Sequence, residues 1–259
     1  MIILQQALRE RAALPTAVLR SLEIARAIPA ETRLALNNAE RSVAVNLYDL
    51  VHWEKRQAGY RHQMRFDLTE KQIRRELGDY GLYHNLTNDS DISSALDNIL
   101  EHNGAMVSTV EKMRIGVPVG GMSPTEDMDS GGASYFFTRI RKLPGRPGGD
   151  NRTGFYFKPE LLRRMDAITY EGDKYGRVTG NHVRQYRRVT IDGYKRIERR
   201  RYTDETIFKN EVTLLDNIKV VVVRNAAQQR EVIEVFHKHG ISKLPDGRSI
   251  TSVVKVIRK

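Results

Sequence analysis

The chain has 259 residues, 40% hydrophobic and 29% charged, with 43 Lys and Arg against 32 Asp and Glu, a formal net charge of +11 and no cysteine. That length and apolar content suit one large or two small folded domains and exclude a wholly disordered chain. The lack of cysteine excludes disulfides, Cys-ligated zinc, Fe–S clusters and a thiol nucleophile. No apolar run approaches the roughly 20 residues that cross a bilayer, and so positive a chain favours an anionic partner, nucleic acid first.

In chain order, residues 1–29 read as a helical extension, with helices over Ile2 to Ala13 and Thr16 to Ala27 punctuated by Pro15 and Pro29. Met1 to Leu4 is too short for a signal-peptide core, and Arg9, Arg11, Arg20 and Arg26 outnumber Glu10 and Glu23, as in a transit peptide. The favoured expectation is a cytoplasmic, nucleoid-associated protein. Residues 30–165 read as one domain. A long helix runs from Ala30 to Ala58, and Met64 to Leu68 alternates as a short strand. Thr69 caps a helix over Glu70 to Leu77, with Ile73 and Leu77 inward and Gly78 as its stop. A polar turn is expected over Asp79 to Asn88. Asp89 then caps a second helix to His102, with Ile92, Leu96, Ile99 and Leu100 inward and Asn103-Gly104 ending it. Strands are expected over Met106 to Ile115, Tyr135 to Leu143 and Phe155 to Lys158, followed by a short helix opened by Pro159.

Helix, strand, helix, turn, helix, strand, long loop, strand is the order of a winged helix-turn-helix. The fold class expected is therefore α+β, a winged helix-turn-helix domain followed by a small basic α+β region over 166–259. In that picture the second helix is presented to DNA, and Ser90, Ser93, Ser94 and Asn98 on its polar face are the candidate base and phosphate contacts. Asp91, Asp97 and Glu101 on the same helix would repel phosphate, so arginines elsewhere must supply most of the affinity. The wing would be Arg139, Arg141 and Lys142, the Pro/Gly loop with Arg146, and Arg152.

The positive charge is concentrated. Residues 139–201 carry 18 Lys and Arg against 7 Asp and Glu, a net of +11, whereas the rest of the chain holds 25 of each. Such a block repels itself unless an anion neutralises it. Its densest part holds Arg184, Arg187, Arg188, Lys195, Arg196, Arg199, Arg200 and Arg201 against Asp192 and Glu198. Val189 to Ile191 and Tyr194 to Ile197, joined by Asp192-Gly193, read as a hairpin, and Tyr194 stands ready to stack on a base. Ile218 to Val223, Ala226 to His239 and Ile250 to Ile257 then read as a terminal β-α-β unit.

The run "TEKQIRRELG…SDISSALDNILEHNGAMVSTVEKMRIG…SYFFTRIRKL…NRTGFYFKPELLRRM" resembles the first winged-helix domain of the plasmid replication initiators, the iteron-binding Rep family. The resemblance spans about Ser42 to Met165 and closes on Phe157, Lys158, Pro159, Glu160 and Leu161. It implies DNA binding in replication initiation or transcriptional control on a plasmid, phage or other mobile element. It also implies a homodimer or the replication or transcription machinery as partner. Residues 166–259 lack the second winged helix of that family.

No Walker A lysine and no G-x-G-x-x-G after a strand is present. His237 and His239 form an H-x-H whose middle residue is Lys238, at a helix end where histidines commonly meet the helix dipole. Asp204, Glu205, Glu211, Asp216 and Lys219 fit no nuclease spacing. The expectation is a non-enzymatic protein without metal or cofactor that favours duplex DNA. Its rivals are a single-stranded nucleic-acid or RNA-binding assembly protein and a metal-dependent nuclease.

Overall fold

The structure is a computed structural model that describes residues 69–85, 92–116, 132–146, 149, 152–164, 166–170, 195 and 205–257. The chain divides into two units. The first contributes 107–116 and 132–135 to the described residues. There helix α3 (Thr109–Ile115) starts on the Ser108 side chain, which accepts from the Glu111 amide, and ends on Gly116 in the left-handed region. Val110 and Ala133 are buried.

The second unit is α+β, built on a mostly antiparallel sheet. Its strands are β1 (Tyr80–His84), β2 (Ala105–Met106), β3 (Phe136–Lys142), β4 (Gly154–Phe157), β5 (Ala167–Tyr170), β6 (Glu205–Phe208), β7 (Val212–Thr213), β8 (Ile218–Val223) and β9 (Val254–Val256). Seven of them form one sheet in the order β5-β6-β3-β1-β4-β8-β9, and β2 pairs with β7 alone. The helices are α1 (Glu70–Glu76), α2 (Ile92–Glu101), α4 (Leu214–Asn217), α5 (Ala226–Lys238) and α6 (Ile250–Val253), with a 3-10 segment over Pro159–Arg163. Leu82, Ile140, Phe155, Phe157, Val221 and Val254 on one sheet face join Ile73 and Leu77 beside α1, Leu96 of α2 and Phe236 of α5 in a single buried core.

Several elements form as their local sequence dictates. Thr69 and Gln72 cap α1 reciprocally: the Thr69 hydroxyl accepts from the Gln72 amide, and the Gln72 side chain accepts from the Thr69 amide. Asn225 caps α5 in the same sense, accepting from the Gln228 amide at 2.9 Å. The strand β8 leads through α5 and α6 to β9, which pairs with β8 in parallel, so the terminal β-α-β unit is present. Ile250 to Val253 is, however, a helical turn, because Ser249 accepts from the Ser252 amide, and only Val254–Val256 is strand.

Other expectations are corrected. Asp79 to Asn88 is not simply a polar turn: Tyr80–His84 is an internal strand whose Gly81, Leu82 and Tyr83 are buried. It pairs antiparallel with β3 (Leu82 opposite Ile140) and with β4 (Leu82 opposite Phe157). The wing therefore fails as a hairpin, since β1 lies between β3 and β4. Met106 to Ile115 is mostly not strand, because Ser108 supplies a helix cap after the two-residue β2. The second helix is not presented freely either. It packs on α5, with Ser93 Oγ donating to Glu231 at 3.3 Å and Asp97 accepting from Lys238 at 2.7 Å. Strands β5 and β6 were not expected. The regions Ala30 to Ala58, Met64 to Leu68 and the hairpin over Val189 to Ile197 lie outside the described residues, apart from Lys195, whose backbone is helical rather than extended.

Candidate nucleic-acid interface

The expected contacts divide into four sets, the last being Ser93, Ser94 and Asn98 of the second helix. Ser90, Arg184, Arg187, Arg188, Tyr194, Arg196, Arg199, Arg200 and Arg201 lie outside the described residues. A second set lies along the sheet face opposite the main core. Side chains alternate along β3, so Arg139 and Arg141 point away from the face that carries Ile140. Arg139 pairs in register with Tyr83 and Arg141 with Gly81. Arg141 is 3% exposed, and the Arg152 guanidinium sits 5.9 Å from the centre of the Tyr83 ring. Tyr83 and Tyr156 pack ring to ring at 4.9 Å, and both are buried. Arg141 is therefore part of a packed layer, and a stem buried this deeply offers little to an external phosphate.

The third set is gathered around the C-terminal end of α1. Leu77 seals this end into the core, and the next turn carries Asp79, whose carbonyl accepts from the Leu143 amide at 2.8 Å. That bond fixes the end of β3 beside α1, with Lys142 half-buried opposite Tyr80. Arg146, on the loop after β3, reaches Asp79 with its Nε at 3.1 Å. Lys195, from the dense cationic stretch, reaches Glu76 with its Nζ at 3.1 Å. Two expected contact residues far apart in sequence are thus brought to carboxylates three residues apart.

Arginines of α1 itself join this cluster. Arg75 Nε lies 2.8 Å from Glu76, so that carboxylate is shared between Arg75 and Lys195. Arg75 foremost, then Lys195, holds the Glu76 carboxyl below the usual carboxylate range. Arg74 bridges Glu160, at 2.9 Å, and Glu70, and its pKa is raised by these partners, Glu160 first. Arg163 approaches Glu70 at 3.6 Å. Beneath this layer Lys219 donates from Nζ to the Gly78 carbonyl at 2.6 Å and the Tyr80 carbonyl at 2.9 Å. Burial pushes the Lys219 pKa down, while Glu160 and Asp79 oppose the shift. The sequence reading did not single out Lys71, Arg74 and Arg75. Their signal was there, because a capped helix with Ile73 and Leu77 inward must turn these three residues outward.

The carboxylates met by the basic block are spread over the chain. Within 139–164, Arg146 meets Asp79, Lys158 meets Asp246 at 2.8 Å, Arg163 meets Glu70 and Arg164 meets Asp166 at 2.8 Å. Of the second-helix candidates, Ser93 and Asn98 are half-buried and Ser94 is exposed. His239 of the H-x-H places Nε2 at 2.6 Å from Asp97, and His237 is exposed. Among the described residues no group of three His, Asp or Glu side chains is placed to hold a metal ion. No described helix is long and apolar enough to cross a membrane.

No family model, curated protein or solved structure matches the chain. The likeness to replication initiators thus stands on the quoted motifs alone.

Proposed function

We propose that the protein binds nucleic acid without catalysing a reaction on it, by neutralising phosphates with the cations of its basic block. The observation that carries the reading is the distribution of charge. The whole net charge of +11 resides in residues 139–201, and four of the cations before position 165 meet carboxylates of the chain. The densest run of the block in sequence is Arg184 to Arg201, where eight cations stand against two acids. Lys195 ties that stretch to the end of α1.

A winged-helix version of this reading would place α2 in a groove and the 144–152 loop along a neighbouring one. The packing of α2 on α5 and the position of β1 between β3 and β4 count against it. The basic stretch, whose sequence includes Tyr194 as a candidate stacking residue, carries the reading without a wing. A role in replication or transcription on a mobile element is the setting that the motif resemblance suggests.

The test is equilibrium titration of duplex and single-stranded DNA and of RNA across a salt series. Each neutralised duplex phosphate contributes a slope of about −0.9 in log K against log salt. Charge reversal at Arg187, Arg188, Arg199 and Arg200 should flatten the slope by roughly 3 to 4. Reversal of Arg9, Arg11, Arg20 and Arg26 should change it far less. Equal losses from the two sets would remove the basic stretch from the account, and preference for single strands would replace the duplex assignment.

A further inference from the structure

The outward face of α1 carries Lys71, Arg74 and Arg75, and all three are exposed. The side chains of Arg74 and Arg75 are 67% and 68% exposed although each touches a carboxylate. Glu76 and Asp79 anchor two cations that arrive from elsewhere in the chain, Lys195 and Arg146. Positive charge thus exceeds negative charge around this short helix. Two physical consequences follow. Exposed ion pairs contribute little to stability, so stability alone gives weak reason to hold these cations together. A carboxylate that holds two cations in place also competes with any phosphate that approaches them.

We propose that the exposed face of α1, together with Lys195, is a phosphate-docking surface, and that Glu76 is its internal competitor. Lys71, Arg74 and Arg75 take phosphate oxygens, and Lys195 is shared between Glu76 and the polyanion. The inference rests on the nucleic-acid reading above and assigns it a surface. The opposite charges of the two parts give it opposite signatures. Removing the cations weakens binding, whereas removing the Glu76 charge strengthens it. A purely structural role for Glu76 predicts the reverse, because its loss would loosen Lys195 and Arg75.

The test uses the full chain and a 20-base-pair DNA duplex of random sequence at several salt concentrations. Three variants are compared with the unaltered protein: Lys71→Gln/Arg74→Gln/Arg75→Gln, Glu76→Gln, and a control of equal charge change, Arg230→Gln/Lys243→Gln/Lys255→Gln, taken from exposed positions away from α1. The α1 triple variant should bind at least about tenfold more weakly, with a salt slope reduced by roughly 2 to 3. The control should lose no more than about twofold, the residue of long-range charge at a screened distance. Glu76→Gln should bind about two- to fivefold more tightly at low salt, with the gain shrinking as salt rises. Thermal melts verify that each variant is folded. If the duplex binds the unaltered protein but the α1 triple variant matches the control, α1 is not the surface and the nucleic-acid reading survives. Weaker binding by folded Glu76→Gln overturns its role as competitor. If the unaltered protein binds no duplex at any salt concentration, both this inference and the reading beneath it fall.

Discussion

Gly154 tests the arrangement that sets this fold apart from a winged helix. It opens β4 with φ +146°, a conformation open to glycine and costly for other residues. A Cβ built there would lie 2.7 Å from the His84 carbonyl oxygen and 2.8 Å from Tyr83 Cε2. Neither neighbour can move cheaply. The first is backbone, and the Tyr83 hydroxyl donates to the Thr153 carbonyl at 2.9 Å while its ring packs on Tyr156. Gly154→Ala therefore combines a conformational cost of about 1–2 kcal/mol with an overpacking cost of about 1–3 kcal/mol. The total is about 3 kcal/mol, or roughly 6–12 °C in Tm for a unit of this size. Gly240→Ala is the internal standard. Gly240 also has positive φ, +72°, but a Cβ there meets nothing within 4 Å, so it bears the conformational cost alone. Urea denaturation of both variants measures the difference. If Gly154→Ala costs no more than Gly240→Ala, β4 is not pressed against Tyr83 and His84. The placement of β1 between β3 and β4 would then be wrong.

Three other outcomes follow from particular contacts. Thr69→Ala removes the hydroxyl half of the α1 cap and should cost about 1 kcal/mol in urea denaturation, with Thr69→Ser retaining most of it; an unchanged midpoint would mean that α1 is held by Ile73 and Leu77 alone. The Asp97 carboxyl is held below its ordinary range by Lys238 first and then by His239. A carboxyl with a depressed folded-state pKa contributes stability above its unfolded value, near pH 4, and loses it as pH falls through the lower folded value. Asp97→Asn should therefore be less stable than the unaltered protein at neutral pH and converge with it in acid, as followed by urea midpoints at several pH values. Parallel curves would remove Asp97 from the link between α2 and α5. Finally, the β3–β6 ladder ends on the pair Thr138 and Thr206, and its register, carried one residue further, would set Arg139 opposite Glu205, which is 8% exposed. A double-mutant cycle with Arg139→Met and Glu205→Gln should return a coupling of about 0.5–3 kcal/mol; additive effects would mean that the two charges do not meet.

What was legible in the sequence was local. The α1 cap needs only Thr69 and Gln72, and the inward face needs only Ile73 and Leu77 four residues apart. The strand β8 announces itself because Ile218 to Val223 is almost continuously apolar, as expected of a strand buried on both faces. What was missed depends on partners distant in the chain. Tyr80–His84 reads as a turn, since Gly81 and the polar residues around it outweigh two tyrosines and a leucine. Yet Gly81 packs closely there, where a Cβ would crowd Tyr156 at 3.1 Å, a contact made across 75 residues of sequence. Around Ser108, Val107, Thr109, Val110 and Ile115 imitate a strand by composition, but one hydroxyl accepting the Glu111 amide turns the segment into helix.

The candidate interface shows the same limit in electrostatic form. Counting charges along the chain treats each cation as free, whereas Glu76 and Lys195 meet across 119 positions and Lys158 finds its carboxylate at Asp246. A linear count therefore overstates the usable charge wherever the fold supplies acids from elsewhere. The half of the block before position 165 contains Arg141 as a packed side chain and Arg146, Lys158, Arg163 and Arg164 in ion pairs. The exposed arginines of α1 are easily overlooked in sequence because Glu70 and Glu76 flank them and make the helix look balanced. In space Glu76 divides its charge between Arg75 and a lysine from the basic stretch, so this end of the helix is more cationic than its own composition. On the proposed function, binding free energy would depend on that local excess, which is why Glu76→Gln discriminates better than the loss of any single arginine.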